Sequence, residues 1–168
     1  VKIIDSYDLL EKDLVKIIEI YNQVIESRSV TADLKPVTVK KQKSWFDSHR
    51  HSSKYPIWIL EQDHEVVGWC AYSQFYGRAA YDCTAKISFY LDRGVQGKGF
   101  GEKCVDFLIE QMSNHGLTTL IAFVFGNNGP SLLLLEKKGF QRYGLLPKVA
   151  DMQTHRENLV ILGIKKYD

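Results

Sequence analysis

The chain has little cysteine, and none of it is spaced for close bridging or metal binding. Cys70, Cys83 and Cys104 are the full set, and no C-x-x-C occurs. All three lie in apolar stretches and read as small buried hydrophobes of a reducing compartment. His49 and His51 have no second ligand cluster, so no metal site is expected. An excess of one charge is also missing: 22 basic against 20 acidic side chains leave a formal charge of +2. That balance argues against nucleic acid as the main partner. No apolar run approaches the ~20 residues that span a bilayer. Val1–Asp5 does not read as a signal peptide, and no membrane partner is expected. Repeats, low-complexity tracts and dividing linkers are absent. Residues 1–168 therefore read as a single domain long enough for a full core.

What the chain does have is a concentration of glycine in one place. Ile87–Leu91 reads as strand. Gly97, Gly99 and Gly101 follow where the backbone must turn sharply or approach a ligand closely. Phe100, Cys104, Phe107, Leu108 and Met112 then recur at helical spacing. A helix opening on such a loop aims unpaired N–H groups and a positive dipole end above the strand. That suits a phosphate or pyrophosphate. Spacing excludes two common loops. A dinucleotide fingerprint counted from Gly97 would need glycine where Glu102 stands. A P-loop needs four residues between its glycines, but Gly97-Lys98 runs straight into Gly99. What remains is Gln96-x-x-Gly99-x-Gly101, with a ligand-free glycine turn as the alternative reading of the loop alone.

Taken in order, residues 2–5 read as a short strand. Residues 9–26 read as an amphipathic helix with Leu10, Leu14, Ile17, Ile18, Tyr21, Val24 and Ile25 on one face. A polar connector reaches Pro36, and Thr38 caps a second helix to about His49. Strands are expected over 57–61, 66–75 and 81–91. The helix of 99–115 stops at Gly116. A strand over 120–125, a break at 126–130 and a short helix over 131–138 follow. Strands over 140–146 and 158–166 close the chain, and polar residues 147–157 read as a loop over the active face. The order is βααβββαβαββ. The crossover through 99–115 makes at least one neighbouring pair parallel. The expected fold is α/β, a mixed central sheet with helices on both faces.

The glycine loop and several further blocks together resemble the GNAT superfamily of N-acetyltransferases, in its phosphinothricin-acetyltransferase-like branch. The blocks are Ile20-Tyr21-Asn22, Tyr55-Pro56, Val67-Gly68-Trp69-Cys70-Ala71-Tyr72 and Arg78-Ala79-Ala80-Tyr81-Asp82. Asn128-Gly129-Pro130-Ser131 and Leu134-x-Glu136-x-x-Gly139-Phe140 complete them. The similarity keeps its order over nearly the whole chain and implies the GNAT fold with acetyl-CoA as cofactor. It implies that Phe89, Tyr90 and Leu91 hold the pantetheine arm, Phe89 and Leu91 through their main chain. It implies that Gln96, Gly97, Lys98, Gly99, Phe100 and Gly101 cradle the pyrophosphate. Asn128 and Ser131 would approach the cofactor from the other side, or simply cap the short helix. Arg78 and Tyr81 fall at substrate-binding positions. A small-molecule amine acceptor, a homodimer and a cytoplasmic location are further implications. A catalytically altered CoA-binding module and a protein or peptide amine acetyltransferase are the alternatives.

The pattern breaks at the chemistry. Amines arrive mostly as ammonium, so a group must take a proton before or during attack. The resembling family carries glutamate on the central strand, where this chain has Lys86. It often carries histidine where this chain has Leu135. Asp151 and Asn158 likewise stand where a tyrosine and an aspartate are common. Lys86 is the candidate at the catalytic position. It reads as a base depressed by burial, as a partner for an acidic substrate group, or as a lysine without a role. Asp82, Glu157 or a water chain are other routes for the proton. Phosphinothricin itself is expected to be acetylated weakly or not at all. No cysteine sits beside a histidine in sequence, so direct attack is expected rather than an acyl-enzyme.

Overall fold

The computed structural model of the chain describes residues 1–166. The elements are β1 (Lys2–Ile4), α1 (Glu11–Ile25), α2 (Val39–Arg50), β2 (Ile57–Gln62), β3 (Glu65–Gln74) and β4 (Thr84–Leu91). After them come α3 (Phe100–Gln111), β5 (Thr119–Phe125), α4 (Gly129–Lys137), β6 (Gln141–Asp151) and β7 (Arg156–Lys165). This is the order expected from sequence. The strands form one sheet in the order β1-β2-β3-β4-β5-β7-β6. Its neighbours pair antiparallel except β4 and β5. Helix α3 makes the crossover that this parallel pair requires.

Two cores form because β2 and β3 are apolar on both faces. Ile57, Ile59, Trp69 and Ala71 point to one side, where Leu14, Ile17, Ile18 and Ile20 of α1 and Phe46 of α2 cover them. Trp58, Leu60, Cys70 and Tyr72 point to the other, under Phe100, Cys104, Val105 and Leu108 of α3 and Leu132 and Leu135 of α4. Successive strand side chains alternate between faces, so an unbroken apolar run is the signature of a strand buried on both. Tyr72 adds a hydroxyl donated to the carbonyl of Leu108, which fixes α3 on the sheet.

Local chemistry sets the helix limits. The Asp13 carboxylate accepts the Leu10 N–H at 2.7 Å at the start of α1. Thr38 Oγ1 accepts the Lys41 N–H at 3.3 Å, the expected cap of α2. Gly116 takes the left-handed conformation, φ +66°, beyond the turn that ends α3.

Three sequence expectations are corrected. The central strand begins at Thr84, because Ala79–Tyr81 coil into a single 3₁₀ turn first. Residues 147–157 are not an open loop. After a bulge beyond Leu146 the ladder resumes at Ala150↔Glu157 and Asp151↔Arg156. Pro147 is tolerated because β6 is an edge strand and the bulge asks no ladder N–H of it. Cys83 is exposed, since the strand it was assigned to has not yet begun, whereas Cys70 and Cys104 are buried as expected.

Candidate active site

The site arises from a fault in the sheet. Strands β4 and β5 pair only at Thr84↔Thr119, Ala85↔Leu120 and Lys86↔Ile121. Beyond Lys86, β4 keeps its ladder with β3 as far as Leu91, and β5 keeps its ladder with β7 as far as Phe125. The two strands separate, and the β5-facing edge of residues 87–91 has no strand partner. Free main-chain donors and acceptors inside a cleft require some other partner.

Three cavities sharing lining residues run along this edge. The first, about 500 Å³, lies over the glycine loop, between Gln96, Gly97, Gly99 and Gly101 on one side and Asn128, Pro130 and Ser131 on the other. The second, about 370 Å³, fills the gap between the strands, with Phe89, Tyr90, Phe123, Phe125, Asn128 and Leu135 among its walls. The third, about 200 Å³, opens on the α1–α2 side, over Ser73, Lys86, Ser88 and Tyr90. Phe89, Tyr90, Asn128 and Ser131 belong to the first two. Lys86, Ser88 and Tyr90 belong to the second and third.

The loop is built for an anion. Gly97 and Gly99 have φ of +77° and +83°, and a side chain at either would project into open space. Gly101 is required for a different reason: a Cβ there would stand 3.1 Å from Leu134 Cδ2, so it sets how closely α3 packs on α4. No side chain caps the N-terminus of α3, so its first N–H groups are left for a ligand. The acid nearest them, Glu102, is engaged by Lys137 and Lys138 at 2.5 and 3.3 Å. Lys98 is exposed, and the Phe100 ring is buried in the core, so Phe100 can offer the site only its main chain. Asn128 Oδ1 accepts the Ser131 N–H at 3.3 Å, which makes Asn128 the cap of α4 as well as a wall of the cleft.

A reading from sequence misses what holds the loop in place. Gln23 of α1 donates to Asp92 at 2.8 Å and accepts the Arg93 N–H at 3.0 Å. Arg93 returns a bond to the Gln23 carbonyl at 3.0 Å. Asp92 also accepts the Gly94 N–H at 2.8 Å. The Gln23 and Gly94 bonds hold its carboxyl below the usual range. The preceding residue, Asn22, clamps the α1–α2 connection by bonding both the N–H and the C=O of Val37, at 2.9 and 3.0 Å. Gln23→Ala removes two bonds to the loop, each contributing about 1 kcal/mol. Acetyl-CoA should then bind roughly 10-fold more weakly, at 1.4 kcal/mol per decade, with little change in catalysis at saturation. Calorimetric titration reads this directly.

The third cavity has the character of an acceptor pocket. Trp45 and Trp69 form aromatic walls, and Asp33 brings the one carboxylate there. The Tyr21 hydroxyl donates to Asp33 and pairs with Thr31. Burial, and for Tyr21 the bond to Asp33, pushes the Tyr21 and Tyr90 hydroxyls upward, to about 12 for Tyr90. Neither is a phenolate at neutral pH. Lys86 is half-buried, with Nζ 5.7 Å from the centroid of the Phe123 ring. Leu135 is fully buried, so an apolar group stands where the resembling family often has histidine. Arg78 and Tyr81 lie outside the lining of all three cavities. Tyr81 stacks instead with Phe75 and Tyr76 at the end of the β3–β4 connection. Asp82 and Glu157 also lie outside, and Glu157 pairs with His155 at 3.3 Å. Among the described residues no cluster of three metal-ligating side chains occurs, and no helix is long and apolar enough to cross a membrane.

These residues fit acetyl-CoA: an unpaired strand edge suits an amide-bearing arm, and the uncapped helix behind two left-handed glycines suits a pyrophosphate.

The chain is similar to known proteins. The acetyltransferase (GNAT) family profile matches residues 17–140. YwnH of Bacillus subtilis, provisionally named a phosphinothricin acetyltransferase, is 42% identical over 90% of this chain and 93% of its own. The L-methionine sulfoximine/L-methionine sulfone acetyltransferase of Pseudomonas aeruginosa is 29% identical over 82% of this chain and 80% of its own. A crystal structure provisionally described as a phosphinothricin N-acetyltransferase superposes with a TM-score of 0.93 at 38% identity, covering 99% of both chains. The fold also matches a Sinorhizobium meliloti phosphinothricin acetyltransferase in complex with AcCoA, at a TM-score of 0.89 and 23% identity, over 98% of this chain and 87% of that one. The chain belongs to the acetyltransferase (GNAT) family, enzymes that take their acetyl group from acetyl-CoA, and is an N-acetyltransferase.

Proposed function

We propose that this enzyme acetylates the primary amine of a small amino-acid-like acceptor, by direct attack within a ternary complex. The observation that carries this reading is the meeting of two unlike cavities at one strand edge. One side presents an uncapped helix and a free strand edge for acetyl-CoA. The other is a cavity of about 200 Å³ walled by Trp45 and Trp69, sized for a small molecule rather than a protein segment. Relatives named for methionine sulfoximine, methionine sulfone and phosphinothricin support the acceptor class.

Acetyl-CoA supplies a thioester carbonyl, an acyl group already activated toward an amine. The chain's residues do the rest. The glycine loop and α3 would hold the pyrophosphate, and the free main-chain groups of residues 87–91 would bond the arm. Asp33, oriented by the Tyr21 hydroxyl, is the proton acceptor on the amine's side. Thiol release from acetyl-CoA, measured against amino acids, phosphinothricin, methionine sulfoximine, polyamines and short peptides, tests the reading. Turnover confined to amino-acid-like amines is the expected result, and turnover only on peptides or polyamines would overturn the acceptor class.

A second reading has its own observation. Lys86 and Leu135 leave the meeting point of the cavities without a carboxylate on the strand or an imidazole on α4. A CoA-binding module with altered catalysis would bind acetyl-CoA and release no thiol with any amine.

We further propose that residues 1–168 work as one catalytic domain in the cytoplasm, as a homodimer. Support for the dimer is the exposed apolar series Tyr143, Leu145, Leu146 and Val149 on edge strand β6. Sedimentation equilibrium would then return twice the 19.3 kDa chain mass.

A further inference from the structure

We infer that Lys86 selects acceptors whose reacting amine has a carboxylate or similar anion beside it, and so rejects polyamines and lysine side chains. The inference deepens the proposed small-amine acetyltransferase reading and rests on it.

Lys86 stands with Ser88 and Tyr90 where the thioester side and the acceptor side share a wall, and of the three it alone carries a charge. Its ammonium forms no ion pair among the described residues. It lies over the face of Phe123, 5.7 Å from the ring centroid. The nearest chemistry on its own face is uncharged: Ser73 opposite it on β3 and Ser88 two residues along β4. A half-buried cation that lines a cavity and is paired with no carboxylate is matched by an anionic ligand. Trp69 walls the same cavity. Trp69 is 4% exposed, and its indole N–H is buried without a hydrogen-bond partner. Buried donors are nearly always satisfied, so the wall beside Lys86 holds a polar group for which the described residues supply no acceptor.

Charge then decides which amines are admitted. An amine that arrives as a bare ammonium meets the Lys86 ammonium and is repelled. An α-amino acid brings its carboxylate on the neighbouring carbon, which pairs with Lys86 and cancels that repulsion. Asp33, the one carboxylate of the cavity, faces the amine from the α1–α2 connection. The acceptor head is thus bracketed by opposite charges, and its order along the cavity is fixed.

The test uses the two tryptophans that wall the cavity. Quenching of their fluorescence is titrated with L-methionine sulfone and with its carboxamide, with and without CoA. Wild-type protein should bind the acid roughly 10- to 100-fold more tightly than the amide, the usual consequence of removing one partner of a charge-assisted hydrogen bond. Lys86→Gln should abolish that preference, and Lys86→Arg should keep it. Equal affinity for acid and amide, no response to either, or a preference that survives Lys86→Gln overturns the inference. Thiol release is followed in parallel. Its absence with every amine would defeat the acetyltransferase reading, while the binding preference still judges Lys86 separately.

Discussion

Gly99→Val should give a folded protein that no longer holds acetyl-CoA. Gly99 sits at φ +83° with open space where a side chain would project. A β-branched residue there meets the left-handed backbone penalty of about 1–2 kcal/mol, so the loop relaxes away from the geometry that precedes α3. Whatever strain remains pushes two methyl groups toward the position of the ligand. Loss of the aligned N–H groups and steric exclusion act together, and the dissociation constant should rise by at least roughly 100-fold, which needs only about 2.7 kcal/mol. Global stability, about 5–15 kcal/mol for such a chain, tolerates the change. Calorimetry and a thermal melt separate the two effects. Undiminished binding by a folded Gly99→Val protein would remove this loop as the phosphate site.

Asp33→Asn should lower kcat by roughly 100- to 1000-fold, within the range for losing a positioned proton acceptor. Affinity for acetyl-CoA should stay unchanged, because Asp33 lines only the acceptor cavity. The Tyr21 hydroxyl would keep a partner in the amide oxygen, so the fold is preserved and the lost function is proton uptake alone. Tyr21→Phe should cost less, since it removes an orienting bond and leaves the carboxylate in place. Steady-state kinetics at saturating acetyl-CoA decides it. A kcat within threefold of wild type would route the proton through solvent instead.

The fold was largely legible because its signals are local. Alternation, the glycine loop and the apolar stripes of α1 and α3 each lie within a short window. The failures have equally specific causes. The polar stretch 147–157 reads as loop, yet its polarity reflects an edge strand with solvent on one side, stitched by ladder pairs beyond a bulge. Asn158, read as a departure at a site position, accepts the Lys148 N–H at 2.8 Å and so belongs to that stitching. Asn22 and Gln23 interrupt the apolar pattern of α1 and pass as surface residues, although their bonds reach Val37 and Asp92. Asp33 stands in a connector with no periodicity, and only the folded chain brings it into one cavity with Lys86 and Ser88. The cofactor side was therefore readable as a motif. The acceptor side is assembled from α1, the α1–α2 connection, α2, β3 and β4, and no single window contains it.

The short seam between β4 and β5 has a wider consequence. Residues 2–91 build one half of the sheet and residues 119–165 the other, joined edge to edge by the pairing at Thr84, Ala85 and Lys86 and strapped across by α3. A ligand arm bonded along both free edges would act as a surrogate strand, continuing the sheet through the place where its own hydrogen bonds stop. Bound there, the arm would turn two half-sheets joined at three residue pairs into one continuous sheet. Part of the enzyme's stiffness would then come from its acetyl donor, which would brace the frame at the moment the amine must be held still.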